Sequence, residues 1–594
     1  MAVARPSTLS GSPRPPALRL LADAAAVDRR LASLGTSRFA ERLVRGDTSL
    51  FGARSSARRL IARRLGWLRA PERFLGEASA LRRFAQEAWQ DGARHVVLLG
   101  MGGSSLGPDV LRRILPPRPG APDFTLLDTT VPAAVARVAG RLDLSRTLFL
   151  VSSKSGRTAE TLALFSFFWG RMRRLRGALA GQHFVAITDP GTPLSDLAAT
   201  RRFRAAFHNP QEIGGRFSVL SYFGLVPAAL LGIDLEGLLR RAAAMAQACG
   251  PGSATRDNPG LVLGAALGAL ARRGRDKVVL LVDPALEPLA LWIEQLLAES
   301  TGKEGRGLVP IVETLDGGRR LAALTGADRV GVGLILQGSR GAGILEGILA
   351  GRRGAAPNRT PVIGLALRDR LDLGGSMFQW QVATAVAGAI LRINPFDEPN
   401  VKESKEATEA ILAGAGARAG ARSRAIRPRS EVGAARDLGP ALRALLSPRR
   451  RGDYVALLIY ADPRDEEVAS MAARARARLA VLTGLPVTTA YGPRYLHSTG
   501  QLHKGGPASA IVLQVVPDDP TDLPIPGKPY DFERLKQAQA EGDWLALLRR
   551  RRRVLRFRHA GEGREALRLL VAALARLPPA ARGAPERRRA RGGR

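Results

Sequence analysis

The chain has 594 residues, 45% of them hydrophobic and 5% aromatic, which is room for two to four domains with well-filled cores. Lys and Arg outnumber Asp and Glu by 90 to 53, for a formal net charge of +37. That charge is scattered in RR and RRR groups without interleaved aromatics or a nucleic-acid motif, so nucleic acid is not an expected partner. The lone Cys249 excludes an internal disulfide or a cysteine metal site and fits a reducing, cytoplasmic setting.

In chain order, residues 1–16 (MAVARPSTLSGSPRPP) lack the apolar core of a secretory signal and are expected to be disordered. Residues 17–90 have the periodicity of amphipathic helices. The apolar runs HVVLLG, DFTLLD, RTLFLVSS and HFVAITD then alternate with helical segments, and KVVLLVD, RVGVGLIL and TPVIGLAL repeat the pattern. Such alternation predicts α/β architecture with parallel sheets. The longest apolar stretch, Val219 to Leu235, is interrupted by Ser, Tyr, Pro and Asp, so it is expected to be a buried helix and no membrane is an expected partner. The predicted layout is a first α/β domain over 91–250, a second over 251–412, a linker at 413–432, a smaller α/β segment over 433–576 beginning with DYVALLIYA, and a disordered basic tail at 577–594.

Only eight of the 90 basic residues are lysines: Lys154, Lys277, Lys303, Lys402, Lys405, Lys504, Lys528 and Lys536. In an Arg-biased chain, positions that keep the compact, titratable ammonium are the first to inspect for chemistry. Two strand-to-helix loops draw attention beside them. GMGGSSLGP (100–108) offers backbone N–H groups and the hydroxyls of Ser104 and Ser105, and SSKSGRTAET (152–161) offers three serines, two threonines, Lys154 and Arg157. Such loops at neighbouring strand ends suit a phosphate monoester in one crevice.

These loops resemble those of sugar isomerase (SIS) domains. IGGRFSVLS (213–221) and LLAESTGKEG (296–305) resemble the two signatures of the glucose-6-phosphate isomerase family, and NPFDEPNVKESK (394–405) is similar to the segment near the C-terminus of its compact bacterial members. YLHSTGQLHKGGP (495–507) resembles part of a bacterial branch in which this isomerase is fused to transaldolase; this chain has no transaldolase portion.

The resemblance implies two SIS domains and the interconversion of glucose 6-phosphate and fructose 6-phosphate without metal or other cofactor. It implies a phosphosugar substrate, and it allows a homodimer and a separate transaldolase as partners. Alternatives are another SIS-domain phosphosugar isomerase, such as a dual phosphoglucose/phosphomannose enzyme, or a non-catalytic phosphosugar-binding regulator.

By the same resemblance Glu299 is the C1/C2 base, Arg216 the cation that holds the enediolate, and Lys405 a partner in ring opening. Gly103, Ser104, Ser153, Lys154, Ser155 and Thr158 are implied phosphate contacts, and Glu160 a substrate-side carboxylate. The family places its ring-opening histidine between base and lysine, yet residues 300–496 contain no histidine. The expectation is that the third segment supplies it, with His503 ranked before His497, and that deletion beyond about residue 430 abolishes isomerisation. His95, His183, His208 and His559 are expected at strand ends.

Overall fold

The computed structural model describes residues 13–52, 55–315, 321–352, 359–414 and 430–578. The expected disordered N-terminus, the linker and the basic tail lie largely outside the described residues. The chain starts with a short strand, β1 (Ala17–Arg19), followed by helices that include Ala24–Thr36 and Ala70–Gln90.

The first sheet comprises β2 (His95–Gly100), β3 (Asp123–Leu127), β4 (Thr147–Ser152), β5 (Phe184–Thr188) and β6 (Ala205–His208), in the order β3-β2-β4-β5-β6 and all parallel. The second comprises β7 (Lys277–Val282), β8 (Val309–Thr314), β9 (Arg329–Leu336) and β10 (Val362–Leu367), in the order β1-β10-β9-β7-β8. Its only antiparallel member is β1, which pairs along β10. The third comprises β11 (Glu431–Val432), β12 (Tyr454–Ile459), β13 (Val487–Tyr491), β14 (Ala510–Pro517) and β15 (Arg553–His559), ordered β11-β15-β14-β12-β13 and again parallel.

The parallel α/β class read from the alternating pattern is therefore the observed fold. A strand ending at His208 was expected and is β6, while β1 and β8 were not foreseen. Each of these two is short or interrupted by polar residues (ALR, VPIVET), so pattern alone does not separate it from loop.

The first two sheets share one hydrophobic core, which also takes in the N-terminal helices. Two helices in that core pack unusually closely. Pro259–Arg272 carries Gly260, Gly264 and Gly268 one turn apart, and they face Val382, Val386 and Ile390 of the almost wholly buried helix Leu373–Leu391. A Cβ at Gly264 would stand 2.5 Å from that of Val386 and 2.7 Å from the Ala383 carbonyl, so glycine is what lets the two backbones approach.

The third sheet is covered on both faces, as parallel sheets require. Along β12, Val455, Leu457 and Ile459 enter a core made within the third unit. Tyr454, Ala456, Leu458 and Tyr460 face the opposite way, into a core shared with Ala298, Val309 and Ile411 of the preceding chain. Ile525, Phe532 and Leu535 join the first sheet's outer core beside Phe167 and Phe168. The third unit is thereby packed against both of the others.

Candidate active site

Glu299 lies near the end of the helix Glu287–Thr301, a strongly apolar segment that runs back from the second sheet, and it is buried. Its Oε1 stands 3.3 Å from Arg216 Nη1, and its Oε2 accepts a 3.1 Å hydrogen bond from Gln295, one turn earlier. Burial pushes the Glu299 carboxyl above its usual range; Arg216 pulls it back and Glu398 adds to the rise.

Arg216 sits just behind the Gly214–Gly215 pair and is buried in a cage of acceptors. Its Nε donates to Ser300 Oγ at 2.8 Å, Nη1 to Glu398 Oε2 at 2.9 Å, and Nη2 to the carbonyls of Pro395 and Asp397 at 2.7 and 3.0 Å. Burial works against its charge, but Glu299 and Glu398 outweigh it, so the guanidinium is held ionised. A fixed, planar cation against a carboxylate of raised pKa is an arrangement for moving a proton while negative charge develops nearby.

Lys303 holds the Asn394–Glu398 turn from beneath. It is buried and donates to the Asn394 carbonyl at 2.7 Å and to Asp397 Oδ1 at 2.7 Å. Burial and the neighbouring Arg216 bring its pKa down to about 8, against the pull of Asp397. Its position ties it to the turn that cages Arg216, one step removed from the base.

On the first sheet, Gly103 opens the helix Gly103–Ile114. A Cβ there would meet the Gly215 carbonyl at 2.0 Å, so the first loop and the Arg216 turn touch backbone to backbone. Ser104 is buried beside it. In the second loop Ser153 Oγ lies 2.8 Å from Thr158 Oγ1, and Ser155 is exposed, accepting from the Arg157 N–H at 3.3 Å. Lys154 points away from the hydroxyls: its ammonium pairs with Asp189 and donates to the Gln211 carbonyl at 3.0 Å.

Glu160 and the third unit complete the crevice. Glu160 is buried in the first turn of the helix Ala159–Arg176. Its Oε1 lies 2.8 Å from His497 Nε2 and accepts a 2.6 Å bond from Gln539. Burial alone would raise this carboxyl, but His497 by charge and hydrogen bond, with a smaller pull from Lys405, holds it at about 2. The His497 carbonyl in turn accepts from Gln295 at 2.8 Å, on the same amide nitrogen that reaches Glu299. Gly102, at φ +57°, faces that carbonyl: a Cβ there would lie 2.8 Å from it.

The two candidate histidines are thus separated. His497 stands in the crevice. His503 is buried inside the third unit, with Nδ1 2.9 Å from Tyr454 OH and Nε2 without a hydrogen-bond partner among the described residues. Burial and the adjacent Lys504 depress its pKa to about 3. The glycines after it serve packing: a Cβ on Gly505 would stand 2.2 Å from Asn400 Oδ1. Lys405 is exposed on the helix Pro399–Leu412, while Lys402 pairs with Glu406 on the same helix. His95, His208 and His559 lie at strand ends, and His183 immediately precedes β5.

Sequence reasoning missed Gln295, Glu398 and Gln539. Gln295 was within reach, since four residues before Glu299 is the same helix face. Glu398 lies inside the segment NPFDEPNVKESK already singled out. Gln539, on the helix Phe532–Arg549, carries no local signal. Among the described residues no group of three or more His, Cys, Asp or Glu could hold a metal ion, and no helix is long and apolar enough to cross a membrane.

Fold and site define an α/β protein with an acid–base crevice between two parallel sheets, closed by a third. The phosphoglucose isomerase family model matches residues 85–313. The glucose-6-phosphate isomerase of Rubrobacter xylanophilus is 34% identical over 397 residues, covering 60% of this chain and 90% of that protein. The one from Symbiobacterium thermophilum is 30% identical over 389 residues, 58% of this chain and 86% of that protein. The chain belongs to the glucose-6-phosphate isomerase family. Among solved structures, a hypothetical protein from Thermus thermophilus aligns with a TM-score of 0.56 and 27% identity, over 67% of this chain and 100% of that one. A glucose-6-phosphate isomerase from Chlamydia trachomatis shares the fold at a TM-score of 0.51 and 21% identity, over 59% and 76%.

Proposed function

We propose that this protein interconverts glucose 6-phosphate and fructose 6-phosphate, the aldose–ketose step shared by glycolysis and gluconeogenesis, and that Glu299, Arg216, His497, Glu160 and Lys405 carry the reaction. The observation that supports this most directly is the Glu299–Arg216 pair, 3.3 Å apart and buried. Family membership and the hydroxyl-rich loops at the adjoining strand ends support the substrate.

The proposed cycle begins with ring opening. His497, oriented by Glu160, moves a proton between the ring oxygen and the anomeric hydroxyl, with the Lys405 ammonium nearby. The Glu299 carboxylate then takes the proton from C2 of the open-chain aldose. The C2 electron pair forms the enediolate C=C bond while the carbonyl oxygen gains negative charge facing Arg216. Transfer of the O2 hydroxyl proton to O1 and return of the carbon proton from Glu299 to C1, with the C2–O electrons forming the new carbonyl, give the ketose. Ser104, Ser153, Ser155, Thr158 and the backbone at Gly103 hold the phosphate throughout, so its binding energy fixes C1 and C2 against the base. Lys154, balanced by Asp189, supports the loop in this reading. His503 is a structural residue in it.

The four central side chains meet within one chain, so a homodimer, if formed, is not needed to assemble this site. A cytoplasmic location belongs to the same reading; the single, buried Cys249 is in keeping with it. The presence of Glu299 beside Arg216 weighs against a non-catalytic regulator. The test is a coupled assay with glucose 6-phosphate and, separately, mannose 6-phosphate: turnover of the first and its loss in Glu299→Gln supports the reading, and a wild type inactive on glucose 6-phosphate overturns it.

A further inference from the structure

The two hydroxyl-rich loops hold no buried, unbalanced positive charge; Arg157, in the second loop, is exposed. Ser104, Ser153, Ser155, Thr158 and backbone N–H groups are neutral donors, and the ammonium of Lys154 is committed to Asp189 and the Gln211 carbonyl. A phosphate monoester brings most of two negative charges at neutral pH. A buried guanidinium beside neutral donors would strengthen the hold on such a dianion.

Arg64 stands beside both loops. It lies in the turn after the helix Ser55–Ala62, and this turn is stitched to the first sheet's last loop by a bridge between Leu65 and Ile213 and by the Gly66 N–H donating to the Glu212 carbonyl at 3.0 Å. Its Cδ lies 3.8 Å from the position a Cβ on Gly214 would take. Gly214 leads directly into Gly215, whose carbonyl rests against Gly103 of the first loop. On the other side, the Arg64 charge acts on Lys154 and Asp189 at the second loop, and it reaches Glu398 beside Arg216. The side chain is half-buried. Among the described residues its guanidinium has no hydrogen-bond acceptor and no carboxylate within ion-pair distance. In a protein where most buried arginines are caged, a half-buried one left open at the rim of both loops is prepared for a ligand.

We propose that Arg64 is the phosphate-facing cation of this site, a binding residue contributed by the N-terminal helical segment and not by either loop. It rests on the phosphosugar reading given above. A planar fork meets phosphate oxygens two at a time, which an ammonium at the same place does not.

The experiment measures glucose 6-phosphate isomerisation and its competitive inhibition by inorganic phosphate in the full-length wild type, Arg64→Ala, Arg64→Lys and Arg157→Ala. The expected result is that Arg64→Ala raises KM and the phosphate inhibition constant by roughly 10- to 100-fold, the loss of one charged hydrogen-bonding group. kcat should stay within about threefold, and Arg64→Lys should recover only part of the affinity. Thermal unfolding of Arg64→Ala should match the wild type, because among the described residues the guanidinium has no partner to lose. An unchanged KM and inhibition constant in Arg64→Ala would overturn the inference, as would the loss falling on Arg157→Ala instead. If the wild type fails to isomerise glucose 6-phosphate but phosphate binding, followed calorimetrically, still weakens in Arg64→Ala, the functional reading falls and the anion site stands.

Discussion

His497 and Glu160 lie 337 positions apart in the chain and meet at 2.8 Å. Around that contact the third unit is joined to the first, because Gln539 reaches the same carboxylate oxygen and also lies 2.9 Å from Thr130. The unit that carries His497 is therefore fastened at the crevice itself.

Replacing His497 by Asn should cut kcat on the cyclic sugar by about 100- to 1000-fold, the usual contribution of a positioned acid–base group. His503→Asn should leave kcat within a few-fold of wild type and lower the melting temperature, since it removes a buried bond to Tyr454 that is worth about 1 kcal/mol. Coupled assays beside thermal melts separate the two; the opposite pattern would return His503 to the mechanism.

Glu299→Gln should lower kcat by at least about 1000-fold with little change in melting temperature. The variant keeps an acceptor for Gln295 and relieves a buried charge, so it should fold. Near-normal turnover would remove Glu299 as the base.

The acid limb of kcat/KM should follow Glu299, whose pKa burial and Glu398 raise above 4.5. The base works ionised, so activity should fall as pH drops through that raised value. In Glu398→Gln a like charge is gone and Arg216 acts on Glu299 less opposed. Both changes favour the carboxylate, and the limb should move to lower pH. A pH–rate profile that shifts upward contradicts this coupling.

Glu160 should give the fold an acid dependence of its own. Its folded pKa is about 2 against an ordinary 4.5, so its contribution is full above the unfolded value and is lost as pH falls through the folded one. Denaturant titrations from pH 6 to 2 should show wild-type stability dropping more steeply than Glu160→Gln across roughly pH 5 to 2. Parallel curves would mean that the His497 contact does not hold the carboxyl down.

Gly102→Ala places a side chain at φ +57° and 2.8 Å from the His497 carbonyl. It should displace the histidine loop and reduce kcat by tenfold or more, with a smaller proportional effect on stability. Wild-type turnover in this variant would show that the loop has room to yield.

The sequence pointed to parallel α/β layers because buried parallel strands are written as unbroken apolar runs, and β2, β4, β7 and β12 all are. It pointed to Glu299 and Arg216 through motifs, and it placed the missing histidine beyond residue 496 by the absence of any other. Distance along the chain hid the rest: nothing near Glu160 announces His497 or Gln539. The scarcity of lysine proved to report burial as much as chemistry. Lys277, Lys303, Lys504 and Lys536 are all buried, and Lys154 is half-buried against Asp189. Lys303 shows why, for its three short contacts with Asn394 and Asp397 use the three donors of one compact ammonium. A guanidinium would not enter that space. Removal of the chain beyond residue 430 would strip Ile525, Phe532 and Leu535 from the first sheet's outer core, so point changes are the cleaner probe of the third unit.

The order of strands in the third sheet has a temporal meaning. Among the described residues β11 pairs only with β15, made after it, and β12 lacks its neighbour on one side until β14 has been translated. Domains fold as they emerge from the ribosome, so Arg216, Glu299 and both hydroxyl loops are made before the third sheet. His497, on the loop after β13, follows with the third unit. A nascent chain stopped before β13 would lack the contacts of His497 and Gln539 to Glu160, so the crevice would be completed only as the third sheet forms.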